Sequence, residues 1–206
     1  MVKIKELIEN VAKIKDGFKP IQVEAEKILK EHDEQASLQV AYELYKSNEY
    51  QARMLAVMIF GKFGAIDKSV FEFLRNTVAN DSSWQVQEML AVAFDTYCKH
   101  IGYEKALPVI KNWLKDKNHN VRRAVSEGLR IWTYRDFFKQ HPEIAIQLLS
   151  SLRNDEHEYV RKSVGNALRD ISRFYKDLVK KELGTWDRNN RNIAYTYSLA
   201  SKFIQK

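Results

Sequence analysis

Two stretches of ten residues constrain this chain most. Asn120 to Leu129 reads Asn-Val-Arg-Arg-Ala-Val-Ser-Glu-Gly-Leu, and Tyr159 to Leu168 reads Tyr-Val-Arg-Lys-Ser-Val-Gly-Asn-Ala-Leu. Both place apolar residues at intervals of three and four, the period of a helix with one buried face. The same period runs through Leu7, Ile8, Val11 and Ile14, and through Val70, Phe71, Leu74 and Val78. Breaks fall near Gly17 to Pro20, His32 to Gln35, Gly64 to Asp67, Asp81 to Ser83, Gly102, Asn118 to Asn120, His141 to Pro142 and Gly184 to Asn190. Helices that recur so regularly and are each apolar on one side must bury that side against their neighbours. Composition agrees: 7 Gly and 3 Pro in 206 residues supply too few turns for a sandwich or barrel and no glycine cluster for a phosphate-cradling loop. The expected fold class is all-α.

Laying Tyr50 to Val57 over Gln85 to Val92, with Arg53 above Glu88, continues to Val121 to Val125 and Val160 to Val164, and more weakly to Arg191 to Ala194. The spacings of 35, 35, 39 and 29 residues suit a helical solenoid. The Trp, Leu-Gly and Tyr pattern of tetratricopeptide first helices is missing, and the Val-Arg starts read like second helices of HEAT repeats. The expectation is therefore a HEAT-like α-α superhelix over residues 1–206, a single domain of about six helix pairs with a shortened N-terminal cap. Second helices line the concave face of such a solenoid, so Arg122, Arg123, Arg161, Lys162, Arg188 and Arg191 would form a basic inner wall. The competing role for these residues is in salt bridges between repeats.

Charge placement points the same way. Residues 1–117 carry 17 basic and 17 acidic side chains, whereas residues 118–206 carry 17 and 10, so the whole excess of +7 lies in the C-terminal part, where it would attract a polyanion. Down the aligned column stand Arg53, Glu88, Arg123, Lys162 and Arg191, and four residues earlier Glu49, Trp84, His119, Glu158 and Asp187. Glu88 is the one acid in its column and Trp84 the one indole in the other, and the two share a helix face. A carboxylate and an indole face both favour a planar cation, which would bind next to phosphates. The structural alternative makes Trp84 a start-of-helix anchor and Glu88 a partner of Arg53 or Arg123.

These residues carry a resemblance from about Pro20 onward to the HEAT-like repeat alkylpurine DNA glycosylases of the AlkD type, the DNA alkylation repair family. Where that family has Ser-Trp-x-x-x-Asp, this chain has Ser83, Trp84 and, at the acid position, Glu88; the family's Gln-Arg-Ala-Ala context corresponds to Arg122 to Val125. The resemblance implies that Glu88 supports cleavage of the N-glycosidic bond of an N3- or N7-alkylpurine, that Trp84 contacts the deoxyribose, and that Arg123 holds the backbone. A charged purine leaves easily, so one carboxylate that stabilises an oxocarbenium-like sugar and positions water suffices without metal or cofactor.

Three departures stand against full activity. Glu88 is one methylene longer than the family's Asp. The second family tryptophan corresponds to Asn166. In place of the family's Phe- and Arg-rich N-terminal segment stand only the residues Lys15 to Gln22. The expected function is thus a DNA-binding family member with weak or absent excision; the alternatives are an active glycosylase with Glu88 as electrostatic catalyst and a protein-interaction scaffold. The expected partner is double-stranded or structured DNA held by its phosphates, with no metal, cofactor or membrane, and the protein acting as a monomer. The charged start from Met1 to Lys5 and the lack of a long apolar run lead to a cytoplasmic expectation, nucleoid-associated when on DNA. A single Cys98 excludes an internal disulfide, and Cys98, Trp113 and Trp132 read as core. The five histidines read as helix-end residues without catalytic roles.

Overall fold

The computed structural model describes residues 3–15 and 17–204. Met1 and Val2 of the charged start, Asp16 of the 15–22 segment, and Gln205 and Lys206 lie outside the described residues. Thirteen α-helices and two 3-10 turns account for the regular structure among the described residues, with no strand. The chain divides into two compact units, Met1–Ile101 and Gly102–Lys206.

The first unit contains α1 (Ile4–Ala12), α2 (Lys19–Glu31), α3 (Glu34–Tyr45), α4 (Tyr50–Phe63), α5 (Lys68–Asn76), a 3-10 turn (Val78–Asn80) and α6 (Trp84–Ile101). Asp33 and Asp67 start α3 and α5 by accepting from the backbone N–H groups of Ala36, and of Ser69 and Val70, which otherwise have no helical partner. α4 is the axis of this unit: α1, α2, α3, α5 and α6 all pack on it, and Leu55, Ile59 and Phe60 are fully buried. The α4–α6 approach depends on Gly61, where an added Cβ would lie 2.9 Å from Ala93 Cα. Pro20, read from the sequence as a break, sits inside the first turn of α2, where its missing N–H has no partner to lose.

The second unit contains α7 (Tyr103–Trp113), α8 (His119–Trp132), the short α9 (Asp136–Gln140), α10 (Pro142–Ser150), α11 (Glu158–Ile171), α12 (Lys176–Leu183), α13 (Arg191–Ala200) and a terminal 3-10 turn (Ser201–Phe203). α11 is its centre, flanked by α8 and α13, while α10 packs on both α11 and α12. Here Gly165 permits the close approach: a Cβ would meet Leu199 Cβ at 2.6 Å and the Thr196 carbonyl at 3.0 Å. Trp113 and Trp132 are buried as read from the sequence. Trp186 is also buried, its Nε1–H donating to Ser150 Oγ at 3.0 Å and to Glu182 at 3.2 Å.

Candidate functional site

A recurring side-chain arrangement fixes where the helix-start residues point. Arg53 on α4 donates to the carbonyls of Ser47 and Asn48 at 2.9 and 3.0 Å, and forks onto Asp81 at 2.9 and 3.0 Å. Arg122 on α8 repeats the pattern, reaching the carbonyls of Asp116 and Lys117 at 2.7 and 3.1 Å and both oxygens of Asp155 at 2.7 and 2.8 Å. Arg161 on α11 binds the carbonyls of Asp155 and Glu156, and Gln87 on α6 binds the carbonyl of Asp81. Each of these residues lies four positions after the residue that precedes its helix: Glu49, Ser83, Asn118 and His157. Equivalent positions are therefore Arg53, Gln87, Arg122 and Arg161.

At α4 the register differs by one residue from the sequence alignment that set Arg53 over Glu88, at α8 and α11 it agrees, and at α13 it differs by four, because Arg191 opens its helix and Tyr195 takes the place the alignment gave to Arg191. Glu88 is equivalent to Met54, Arg123 and Lys162, and Trp84 to Tyr50, His119, Glu158 and Arg191. Trp84 thus has an aromatic counterpart on α4, Tyr50, which the shifted alignment hid.

Trp84, Glu88 and Tyr50 line one cleft of about 260 Å³ in the first unit, together with Gln51, Met54, Gln85 and Met89 from the same two helices and Ile14, Lys15, Phe18 and Ile21 from the α1–α2 region. Gln51 pins that region, its amide donating to the carbonyls of Ala12 and Ile14 at 3.2 and 3.1 Å. Gly17, with φ of +77°, makes the turn that brings Phe18 to the cleft. Trp84 is 60% exposed, so it is a surface aromatic rather than a core anchor. Glu88 is exposed on the same face one turn on. Arg53 directs its guanidinium at Asp81, whose carboxyl, despite burial, is held below its usual range by Arg53, the Ser83 N–H and the Tyr45 hydroxyl. Phe18 and Tyr50 are the aromatic cleft residues to which the sequence assigned no role; the signal for Tyr50 was the Arg53, Gln87, Arg122, Arg161 register.

The basic residues belong to the second unit and differ in their surroundings. Arg122 is 6% exposed and tied into its ion pair, so it fills the inter-repeat role that the sequence left open. Arg161 is half-buried, bound to turn carbonyls and 5.9 Å from the Tyr195 ring centroid. Lys162 is exposed and Arg123 half-buried, both near their helix starts. Arg188 and Arg191 are exposed before and at the start of α13, with Arg188 5.1 Å from the Tyr197 ring. Asn166 is half-buried and accepts from Arg169 at 3.0 Å. His119 and His157 stack face to face, centroids 3.6 Å apart. Cys98 is buried, which pushes its thiol pKa up and leaves it unreactive.

A family model described as DNA alkylation repair enzyme matches residues 18–201. The chain belongs to this family. AlkD2 from Streptococcus mutans is 47% identical, with 98% of each chain covered and a TM-score of 0.95, which establishes the HEAT-like repeat fold. AlkC of Pseudomonas fluorescens, an alkylpurine DNA glycosylase solved with DNA containing an abasic site analog, is similar in fold: 22% identity, TM-score 0.51, covering 98% of this chain and 61% of AlkC. The uncharacterized protein YhaZ of Bacillus subtilis is 38% identical over 87 residues, 40% of this chain and 24% of YhaZ, so the match spans about a quarter of that relative. Among the described residues no helix is long and apolar enough to cross a membrane.

Proposed function

We propose that the protein binds DNA through its phosphates and engages cationic alkylpurine lesions at the Trp84–Glu88 cleft, with weak or absent excision. The observation that carries this reading is the shared cleft of Trp84 and Glu88: an indole and a carboxylate, one turn apart on α6, flanked by Phe18 and Tyr50. Aromatic faces and a carboxylate favour a planar cation such as an N3- or N7-alkylated purine. Arg123, Lys162, Arg188 and Arg191 supply phosphate contacts, which position a duplex without reading its sequence. Arg122 and Arg161 support the fold around them.

Weak excision follows from the carboxylate's setting. Hydrolysis breaks the bond from C1′ to the purine nitrogen, the electron pair leaves with the base, and water adds to C1′ as its proton departs. A carboxylate stabilises the intermediate sugar cation most in a fixed, water-excluded site. Glu88 is exposed on a longer side chain, Lys15 lines the same cleft, and the amide of Asn166 stands where the family has a second indole.

The alternative reading, an active glycosylase with Glu88 as electrostatic catalyst, draws on the same pairing of Trp84 with Glu88. Release of methylated purines from alkylated duplex, compared between the native protein and Glu88→Gln, separates the two. Release lost in the variant makes Glu88 the catalyst. No release from either, with duplex binding that Arg123→Glu and Lys162→Glu weaken, supports the primary reading. Absence of DNA binding refutes both.

A further inference from the structure

The opposite ends of α8 and α11 carry a second surface. Arg130 and Arg169 occupy equivalent places in the last turns of the two helices, and Asp170 lies between them: Arg130 Nε donates to one carboxylate oxygen at 2.6 Å and Arg169 Nε to the other at 3.0 Å. Burial disfavours the Asp170 carboxylate, but the two guanidiniums outweigh it and hold its pKa below the usual range. Arg173 follows on the same side, its guanidinium 4.6 Å from the Phe203 ring centroid. Beside the arginines, Tyr134 and Phe174 are 57% and 63% exposed and meet edge to face at 5.4 Å. An open cleft of about 520 Å³ is lined by Arg130, Ile131, Tyr134, Arg169, Asp170 and Arg173.

We infer that this cleft binds an unpaired segment of nucleic acid, with bases stacking on Tyr134 and Phe174 and phosphates meeting the arginines. Three guanidiniums against one lining carboxylate leave net positive charge, even with Glu127 at 3.6 Å from Arg130. That balance favours a polyanion. The rings decide which kind: an aromatic side chain on an open surface can stack only on a base that is not already stacked in a duplex. Guanidinium planes beside such rings accept bases equally well. A closed small-molecule site is excluded by the openness of the cleft, and the surface is too arginine-rich for an apolar helix. On α8 the surface begins seven residues from Arg123, about 10 Å along the axis. It is therefore separate from the helix starts that carry the duplex contacts.

The inference rests on reading the protein as a nucleic-acid binder, and the test separates the two claims. Fluorescence anisotropy of the full chain would use labelled oligothymidine of about twelve nucleotides, within the range of single-strand sites, and a duplex of equal length. Replacing both rings, Tyr134→Ala with Phe174→Ala, should weaken oligothymidine binding at least about fivefold, the low end for loss of a single stacked base, and leave duplex affinity within about twofold. Arg173→Ala should lower the salt slope for the strand by about 0.7, one phosphate contact. Lys162→Glu should do the reverse, weakening duplex and sparing strand. The rings are exposed, so the variants should melt with the native protein; Arg173→Ala carries the test alone if they do not. Strand binding unchanged in both variants overturns the inference. So does polyglutamate competing as well as oligothymidine per charge, which assigns the surface to an acidic protein. Strand binding through this cleft without duplex binding refutes the proposed function and leaves the inference standing.

Discussion

Arg122 offers the sharpest test, because its sequence context suggests DNA contact while its surroundings indicate a structural role. Its side chain is 8% exposed and that of Asp155 is 5% exposed. Arg122→Ala removes a forked ion pair and two bonds to turn carbonyls, and leaves the Asp155 carboxylate buried with the His157 N–H at 2.9 Å as a remaining donor. Breaking a buried pair from one side costs about 3–5 kcal/mol, because the remaining charge loses its compensation. For a chain of this size each kcal/mol lowers the melting temperature by about 2–4 °C, so the variant should melt roughly 6–20 °C below the native protein. Urea unfolding followed by circular dichroism gives the free energy, and anisotropy at a temperature where both proteins are folded gives DNA affinity. Lys162→Ala, on an exposed side chain, should show the opposite profile. An Arg122→Ala protein that melts normally but loses DNA would refute the reasoning and return Arg122 to the binding surface.

Two further outcomes follow from the site geometry. Trp84→Ala should change stability by less than about 1 kcal/mol, since the ring is mostly in solvent, while reducing preference for alkylated over plain duplex; a large drop in melting temperature would instead make Trp84 a packing residue. His119 has its pKa lowered, first by burial, then by His157 and Arg122, with Asp155 opposing and Arg123 adding. The folded protein therefore takes up this proton less readily than the unfolded chain. Stability should be complete above the ordinary value of about 6.5 and fall as pH drops below it. His119→Gln should flatten that acid limb in urea titrations, and an unchanged limb would show that the histidine stack does not set it.

The helical fold was legible because its information is local. Apolar spacing, the buried Trp113 and Trp132, and the breaks in which Asp33, Asp67, Asn118 and Asn190 turn out to cap the following helices all follow from periodicity and helix-end chemistry. The register between repeats was not legible, and the reason lies in α4. This helix is buried almost all round, so it has no one-sided pattern to fix its phase, and the shared Met-Leu-Ala-Val at 54–57 and 89–92 set the alignment instead. One residue of slip turns a helix by 100°. That was enough to put Arg53 where Met54 belongs and to hide Tyr50 behind Glu49. Phe18 reaches the cleft only through Gln51 and the turn at Gly17, a tertiary effect without a sequence signature.

The corrected register also separates stability from chemistry. The position held by Arg53, Gln87, Arg122 and Arg161 ties each helix to its own preceding turn, whereas the next position holds Met54, Glu88, Arg123 and Lys162, side chains of every kind. A residue at the second position can change without disturbing the turn, so Glu88→Asp should fold as the native protein does, with a melting temperature within a few degrees for a surface change. The substitution restores the family's acid and withdraws the carboxylate by about 1 Å, a displacement that can alter a positioned reaction about a hundredfold. Methylpurine release rising in Glu88→Asp would locate the cause of the proposed weak excision in the length of this one side chain. Release that stays at the native level, with folding intact, would locate it elsewhere, and Asn166→Trp combined with Glu88→Asp is then the protein in which to look for it.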